Sequence, residues 1–284
     1  MTTPGRLRSG RLFPAPSANP SNSSQQNLPK YRKEMTDREI VQLWMDSAAP
    51  ATFRVKRLFA DAEVKLTNRG SIADEASAIQ LVTERTKIPI PEILRTVEDR
   101  GDGYIIMDYK GPRLSDVWGS LTKEQRTSIV LILRGYIDQL RAIEPQDFPG
   151  PGPVPRLRLL KEFFNEMEHI RCAEDVEETK LKRFDDSSQF ALTHNNIGMH
   201  NIIVGKDNIY LSNWEDAGFY PQWFDMVAMK RIAKEVKAPI SWVRNIPTMV
   251  GHFRGKEEYL ERMGCQLMCY SNTKTEAKYR PRTK

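Results

Sequence analysis

The stretch His194-Asn195-Asn196-Ile197-Gly198-Met199-His200-Asn201, followed a short way on by Asn213-Trp214-Glu215, decides the interpretation of this sequence. Asparagine nearly copies the shape of aspartate, but its amide has neither a basic lone pair nor a negative charge at neutral pH. Such a side chain can orient a hydroxyl group and cannot take up its proton. Short apolar runs, which we predict to be strands, frame the two stretches: 191–193, 202–204 and 209–212.

Upstream of these stretches the pattern predicts a small sheet with two helices. Thr36-Asp37 is a helix start signal, so we place a helix at 36–47. Strands are predicted at 52–58 and 63–66, and a helix at 72–85. The prolines at 89 and 91 end that helix, because each forces extended geometry on the residue before it. A hairpin is predicted from 93–98 and 104–109 around the polar residues 99–103.

From residue 121 onward the hydrophobic period becomes helical. The longest predicted helix spans 123–142, and others are predicted at 157–170, around 174–184, near 223–236 and at 256–270. The sequence therefore predicts an α+β chain in which a sheet-rich N-terminal part is joined to a mainly helical C-terminal part.

Composition limits the class of protein. The 284 residues are enough for two lobes that share a cleft, and no apolar run is long enough for a membrane span. The three cysteines, Cys172, Cys265 and Cys269, do not form a disulfide pattern, so we expect reduced thiols and a cytoplasmic protein. An arginine-rich, acid-free start leaves a mitochondrial location as the alternative, although its prolines leave little room for an amphipathic helix.

The net charge of +6 belongs to the first residues of the chain. Residues 1–33 contain six basic residues and no acidic one, which leaves 37 of each sign in the remainder. The proline-rich, polar composition of 1–34 predicts a disordered basic leader, and 271–284 predicts a basic tail. Such termini can contact nucleic acid or anionic lipid, but solvated tails explain them more simply, and we predict no specific nucleic-acid partner.

Taken together, the segments resemble the aminoglycoside phosphotransferase and choline kinase branch of the protein-kinase-like fold, in particular the fungal phosphotransferase enzyme family. The resemblance covers roughly residues 50–250, and its order and spacing are more specific than any one segment. Its carriers are Glu75, Thr86–Pro91, Ile106–Tyr109, Leu192–Val204 and Asn213–Pro221. It implies a two-lobed fold, with a small antiparallel-sheet N-terminal lobe at 35–109 and a mainly helical C-terminal lobe at 110–270.

The resemblance also implies roles in nucleotide binding. Lys65 stands where the family has a strand lysine that holds the α- and β-phosphates and pairs with a helix glutamate, here Glu75. The backbone near Tyr109 would meet an adenine edge, with Met107 behind it. An exposed lysine, an ordinary helix glutamate and a core methionine are the alternative interpretation.

Both catalytic aspartates of the family are absent. Asn196 stands at the position of the proton-accepting aspartate, and Asn213 at that of the metal-binding one, whereas Asn201 matches the family's metal-binding asparagine. Losing a positioned base typically costs about 10²–10⁴ in rate. Each missing charge near the metal is worth on the order of 4 kcal/mol at ~4 Å with an effective dielectric of ~20. ATP and Mg²⁺ binding would then be weak or lost, unless Glu215 or Asp216 compensates for the metal.

Three functions follow from these departures. The first is a degenerate, pseudokinase-type protein that binds a nucleotide or small metabolite and acts through a protein partner. The second is an ATP-dependent O-phosphotransferase for a small hydroxylated metabolite; the acidic residues between 155 and 185 would suit a cationic amine, or are a solvated helix face. The third is a cleft that serves another reaction in specialised metabolism.

Overall fold

The computed structural model describes residues 28–48, 54–144 and 190–253. Most of the predicted leader, the basic tail and the predicted helices at 157–170, 174–184 and 256–270 lie outside these ranges, as do the acidic residues between 155 and 185. Within them, no helix is both long enough and apolar enough to cross a bilayer.

The N-terminal lobe is a four-stranded antiparallel sheet flanked by two helices. The strand order is β1-β2-β4-β3, with every neighbouring pair antiparallel. Its elements in chain order are α1 Asp37–Asp46, β1 Val55–Lys56, β2 Ala62–Asn68, α2 Arg69–Arg85, β3 Ile93–Asp99 and β4 Asp102–Asp108.

Local sequence explains where these elements begin and turn. Thr36 caps α1 in a capping box, because its hydroxyl accepts from the Glu39 N–H while the Glu39 carboxylate accepts from the Thr36 N–H. The hairpin between β3 and β4 turns at Arg100 and Gly101, whose φ angles are 50° and 96°. Positive φ at both central residues matches the right-handed twist of the strands, and glycine adopts it without steric cost.

The alternation along β2 buries both faces of the strand. Ala62 and Val64 pack in the apolar cluster with α1, as the period of two predicts. The opposite face carries Glu63, Lys65 and Thr67, which an amphipathic pattern would direct to solvent. All three are instead buried, with at most 3% of their surface exposed. This polar face points toward the C-terminal lobe and forms one wall of the cleft.

The C-terminal lobe is mainly helical and contains two small antiparallel sheets. These pair β5 with β8 and β6 with β7. Its described elements are α3 Leu114–Val117, α4 Lys123–Arg141, β5 Phe190–Thr193, β6 Ile202–Val204, β7 Ile209–Leu211, β8 Gly218–Pro221, α5 Phe224–Glu235, α6 Ile240–Val243 and α7 Ile246–Val250. One continuous apolar cluster fills this lobe and includes the indoles of Trp118, Trp214, Trp223 and Trp242.

The fold is thus the predicted α+β arrangement of a small sheet lobe and a larger helical lobe. The predicted helices at 36–47, 72–85, 123–142 and 223–236 are confirmed to within a few residues. Of the strand predicted at 52–58, residues 52 and 53 lie outside the described residues, and among 54–58 only Val55–Lys56 form a strand. Strand β8 and the short helices α3, α6 and α7 were not predicted. Elements of four or five residues carry too few side chains to show a period, so tertiary contacts define them.

Candidate functional site

A buried ion pair between β2 and α2 forms the wall of the cleft. The Lys65 Nζ lies 2.7 Å from the Glu75 Oε2, and only 3% and 1% of the two side chains are exposed. Burial raises the pKa of Glu75, while the positive charge of Lys65 opposes that rise. The other carboxylate oxygen of Glu75 accepts from the Trp214 N–H at 3.1 Å, so this glutamate also joins the N-terminal lobe to the C-terminal one.

Two residues of the C-terminal lobe complete the shell around the lysine. The Asn213 Oδ1 accepts from the Lys65 Nζ at 2.5 Å, and the Glu215 Oε2 accepts from it at 3.1 Å. The same Glu215 oxygen accepts from the Thr67 hydroxyl, also at 3.1 Å. Asn213 has a φ of 68°, in the left-handed region that asparagine and aspartate tolerate better than other non-glycine residues. The turn after β7 therefore delivers its side chain to the lysine.

A second amide group forms the floor of the cleft. Asn201 donates from Nδ2 to both the side-chain and the backbone oxygen of Asn196, each at 2.9 Å. Asn196 in turn donates from its own Nδ2 to the Asp216 Oδ2 at 2.9 Å. The Asn196 side chain thus donates its N–H to Asp216 and accepts from Asn201 with its oxygen. Partial burial and the neighbouring charge of Glu215 raise the pKa of Asp216.

Asp225 at the start of α5 holds the backbone of this floor. Its Oδ1 accepts from the N–H groups of His194 and Asn195, at 3.0 and 2.9 Å. The carboxyl is wholly buried, and that burial raises its pKa to about 6. Its neighbour His194 is also buried, which lowers the pKa of the imidazole to about 3, and its ring packs against Trp214 with the centroids 4.3 Å apart. His194 is therefore a neutral, packed side chain rather than an acid or base.

The junction between the lobes contains the remaining predicted residues. Met107 packs in a small cluster with Ile72 and Ile105. The Tyr109 ring lies under the Arg57 guanidinium, 3.7 Å from its centroid, and the Tyr109 N–H donates to the Asp61 carbonyl at 2.8 Å. The structure thus places both residues at the junction, and their contact with an adenine base stays a prediction.

Another ion pair crosses from β2 to the start of the C-terminal lobe. Glu63 pairs with Arg113, which also donates to the Ser212 hydroxyl at 3.0 Å. Burial raises the pKa of Glu63, and Arg113 opposes that rise. The polar face of β2 therefore contacts the C-terminal lobe at three alternate positions, 63, 65 and 67.

The structure brings five of the seven predicted site residues into two contacting groups. Lys65, Glu75 and Asn213 form one group, and Asn196 with Asn201 forms the other. The consecutive residues Glu215 and Asp216 connect them, since one contacts Lys65 and the next contacts Asn196.

Sequence reasoning missed several residues that build the site. Thr67 could have been found, because it lies two positions from Lys65 and so shares its face of β2. Arg113 and Asp225 carried no local signal, since each acts through contacts with residues distant in the chain.

The amides predicted as metal ligands contact other protein groups in this structure. Magnesium in phosphate-binding sites is usually held by one or two carboxylates with phosphate oxygens. No group of three or more metal-ligating His, Cys, Asp or Glu side chains occurs among the described residues. Of the two asparagines predicted from the sequence as metal ligands, Asn213 directs its oxygen to the Lys65 ammonium and Asn201 directs its nitrogen to Asn196.

Comparison with known proteins identifies the fold. No protein-family model matches the sequence, and none of the curated protein sequences does. Among solved structures, the GDP complex of wild-type aminoglycoside 2'-phosphotransferase-IIIa is similar at 12% identity, covering 77% of this chain and 84% of its own, with a TM-score of 0.50. An aminoglycoside-3'-phosphotransferase of type VIII is similar at 17% identity, covering 69% of this chain and 80% of its own, with a TM-score of 0.47. A choline/ethanolamine kinase family protein from Mesorhizobium loti is similar at 14% identity, covering 78% of this chain and 78% of its own, with a TM-score of 0.41.

At such identities the likeness concerns the fold alone. The chain has the two-lobed kinase-like fold of these phosphotransferases.

Proposed function

We propose that this protein is a degenerate member of the aminoglycoside-phosphotransferase-like group, which binds a phosphorylated small molecule in the cleft between the lobes. A nucleotide is the first candidate, because the Lys65–Glu75 pair is formed and Lys65 lies against the cleft. In this proposal the protein transfers phosphate poorly or not at all, and its effect in the cell is exerted by the bound state, through a protein partner or through sequestration of the ligand.

The observation that carries the proposal is the engagement of the amides. Asn196 cannot accept a proton, and its Nδ2 donates to Asp216. Asn213 cannot supply a negative charge to a metal, and its oxygen contacts Lys65. The two groups that would start the transfer and hold its metal are therefore both neutral, whereas the cationic and packing parts of the site are intact.

Thermal-shift measurements with ATP and ADP, each with and without Mg²⁺, test the proposal. We expect a nucleotide-dependent rise in melting temperature that Mg²⁺ does not enlarge and that disappears in Lys65→Ala. No rise under any condition would contradict nucleotide binding and favour a cleft used for another reaction. Robust Mg²⁺-dependent phosphate transfer to amino sugars or choline-like alcohols, lost in Lys65→Ala, would contradict the degenerate state.

One contact favours a second candidate, an O-phosphotransferase acting on a small hydroxylated metabolite. Asp216 is a carboxylate one hydrogen bond away from Asn196, and burial raises its pKa, which makes this carboxylate more basic. In this alternative Asn196 orients Asp216, and Asp216 accepts the proton of the attacking hydroxyl. Slow turnover that survives in wild type but vanishes in Asp216→Asn, with nucleotide affinity unchanged, would favour the enzyme.

The cellular setting belongs to the proposal as well. We propose a small molecule as the ligand and no specific nucleic-acid partner. We propose a cytoplasmic location, and a mitochondrial location is the alternative. Localisation of the tagged full-length chain, compared with one that lacks residues 2–33, distinguishes the two compartments.

A further inference from the structure

The carboxylate of Glu215 bridges the two lobes at the buried lysine of β2. Its Oε2 accepts from the Lys65 Nζ and from the Thr67 hydroxyl, each at 3.1 Å. Lys65 and Thr67 are neighbours on one face of β2 and are almost wholly buried. We refer to these two contacts as the carboxylate latch.

The latch uses the last donor of the lysine. An ammonium has three N–H groups, and those of Lys65 are taken by Glu75, Asn213 and Glu215. A phosphate group that is to contact Lys65 must therefore displace one of these acceptors. Glu75 is 1% exposed and is also held by the Trp214 N–H, whereas 24% of the Glu215 side chain is exposed. Of the two carboxylates, Glu215 is the one that can leave.

Charge leads to the same residue. Lys65 contributes one positive charge, and Glu75 and Glu215 together contribute two negative charges, so the latched wall of the cleft is net negative. An oligophosphate is repelled by that wall. Withdrawal of Glu215 into solvent leaves a neutral ion pair with a free ammonium donor and the Thr67 hydroxyl, which together suit a phosphate oxygen.

The asparagines at 196 and 213 complete the argument. Compared with a site that has aspartate at both positions, the floor of the cleft carries two fewer negative charges. One divalent cation would neutralise that same amount of charge. A polyanion can then enter without a metal once the latch has opened. The side chains at 196 and 213 are neutral amides, so neither of them offers Mg²⁺ a carboxylate ligand.

We infer that Glu215 is an internal occupant of a phosphate site formed by Lys65 and Thr67, and that this site binds metal-free oligophosphate when Glu215 withdraws. The inference rests on the proposed function and deepens it, because it names the ligand class and the residue that regulates access. It also assigns Thr67 as a binding residue.

Calorimetric titration of the full chain with inorganic pyrophosphate and with ADP, in the presence of a chelator, tests the inference. Glu215→Gln keeps the size and the acceptor oxygen but removes the charge, so we expect both probes to bind about 10-fold more tightly than to wild type. Asp207→Asn is the control, since it removes the same charge from an exposed residue of the same lobe; we expect it to change affinity by less than ~3-fold. Adding Thr67→Val to Glu215→Gln should weaken pyrophosphate binding again.

The outcomes separate the inference from the function on which it rests. Equal affinity of wild type and Glu215→Gln, or equal gains in Glu215→Gln and Asp207→Asn, would overturn the latch and leave nucleotide binding intact. Mg²⁺-dependent tightening in wild type that Glu215→Gln abolishes would make Glu215 a metal ligand instead, and would also overturn it. Absence of binding to every variant would overturn the latch together with the proposed function.

Discussion

Single residues at this site combine a role in the backbone with a role in the cleft. Asn213 has a φ of 68°, which costs a typical L-residue roughly 1–2 kcal/mol, and its side chain accepts from Lys65. Asparagine and aspartate are both enriched in this conformation. The uncharged amide of Asn213 is therefore compatible both with the turn after β7 and with the contact to Lys65.

The buried carboxyl of Asp225 makes the stability of the folded state depend on pH. Its carboxyl is fully buried, accepts two backbone N–H groups through Oδ1, and meets no hydrogen-bond donor at Oδ2 among the described residues. Its folded-state pKa of about 6 is higher than the ~3.9 of an unfolded aspartate, so between these values the folded state holds a proton that the unfolded state has lost. The stability that depends on this proton is complete below pH ~4 and is lost as pH rises through about 6.

We therefore predict a pH-dependent effect of Asp225→Asn on stability. The asparagine stays neutral and keeps an acceptor oxygen for both backbone donors. Relative to wild type, the free energy of unfolding of the variant should rise by up to about 3 kcal/mol between pH 4 and pH 7. Urea unfolding at several pH values measures this difference. Asp207→Asn, an exposed aspartate of the same lobe, is the control and should follow the wild-type profile. A constant difference between wild type and Asp225→Asn at all pH values would contradict the prediction.

At the scale of elements, α2 connects the two lobes through one glutamate. Glu75 joins α2 to β2 through Lys65 and to the segment after β7 through the Trp214 N–H. All of these groups are buried, so none of them can turn to water when a partner is lost. The position of α2 therefore depends on a charge pair as well as on its apolar face.

A double-mutant cycle on this pair is the prediction at the element scale. Lys65→Met leaves a buried carboxylate without its cation and should destabilise the protein by about 3–5 kcal/mol. Glu75→Gln keeps an acceptor for Trp214 but leaves the lysine with Glu215 as its carboxylate. The double variant should be more stable than the sum of the single effects predicts, with a coupling on the order of 2 kcal/mol.

The exposed pair Arg231–Glu235 on α5 is the matched control for that cycle. Its atoms are 3.7 Å apart, and more than half of each side chain is exposed. Its coupling should be at most ~0.5 kcal/mol. Equal coupling for the buried and the exposed pair, measured by chemical unfolding, would show that burial does not strengthen the Lys65–Glu75 contact.

The elements also show what a sequence can predict. The caps of α1 and α4 are Thr36 with Glu39 and Thr122 with Gln125, and such local signals are readable without a structure. The polar face of β2 is different. Its alternation of apolar and polar residues is typical of a strand with one solvent-exposed face. In the structure that face is buried, and its charged side chains pair with Arg113, Glu75 and Glu215. Only the tertiary arrangement shows that these charges are paired inside a cleft.

At the scale of the whole molecule, the fold was predictable because many weak local patterns agree on one architecture. The site was predictable in part: the spacing of 196, 201 and 213 indicated which residues share the cleft, and the structure brings them together. The direction of each side chain was not predictable. Asn196 faces Asp216, and Glu215 faces β2, because residues distant in sequence place their donors there.

Replacing both asparagines by aspartate tests whether carboxylates at 196 and 213 allow the cleft to bind Mg²⁺ together with a nucleotide. In the variant Asn196→Asp with Asn213→Asp, aspartate suits the backbone conformation at 213, and two negative charges return to the floor of the cleft. We expect Mg²⁺ to enlarge the ADP-induced rise in melting temperature by about 3–6 °C, as a tenfold tighter complex would do in a protein of this size. Wild type should show no such enlargement. Differential scanning fluorimetry with matched ionic strength measures both proteins, and Lys65→Ala in the restored background controls for metal binding that does not involve the nucleotide. An identical Mg²⁺ response in wild type and in the restored variant would show that the amides at 196 and 213 are not what sets the metal dependence of this cleft.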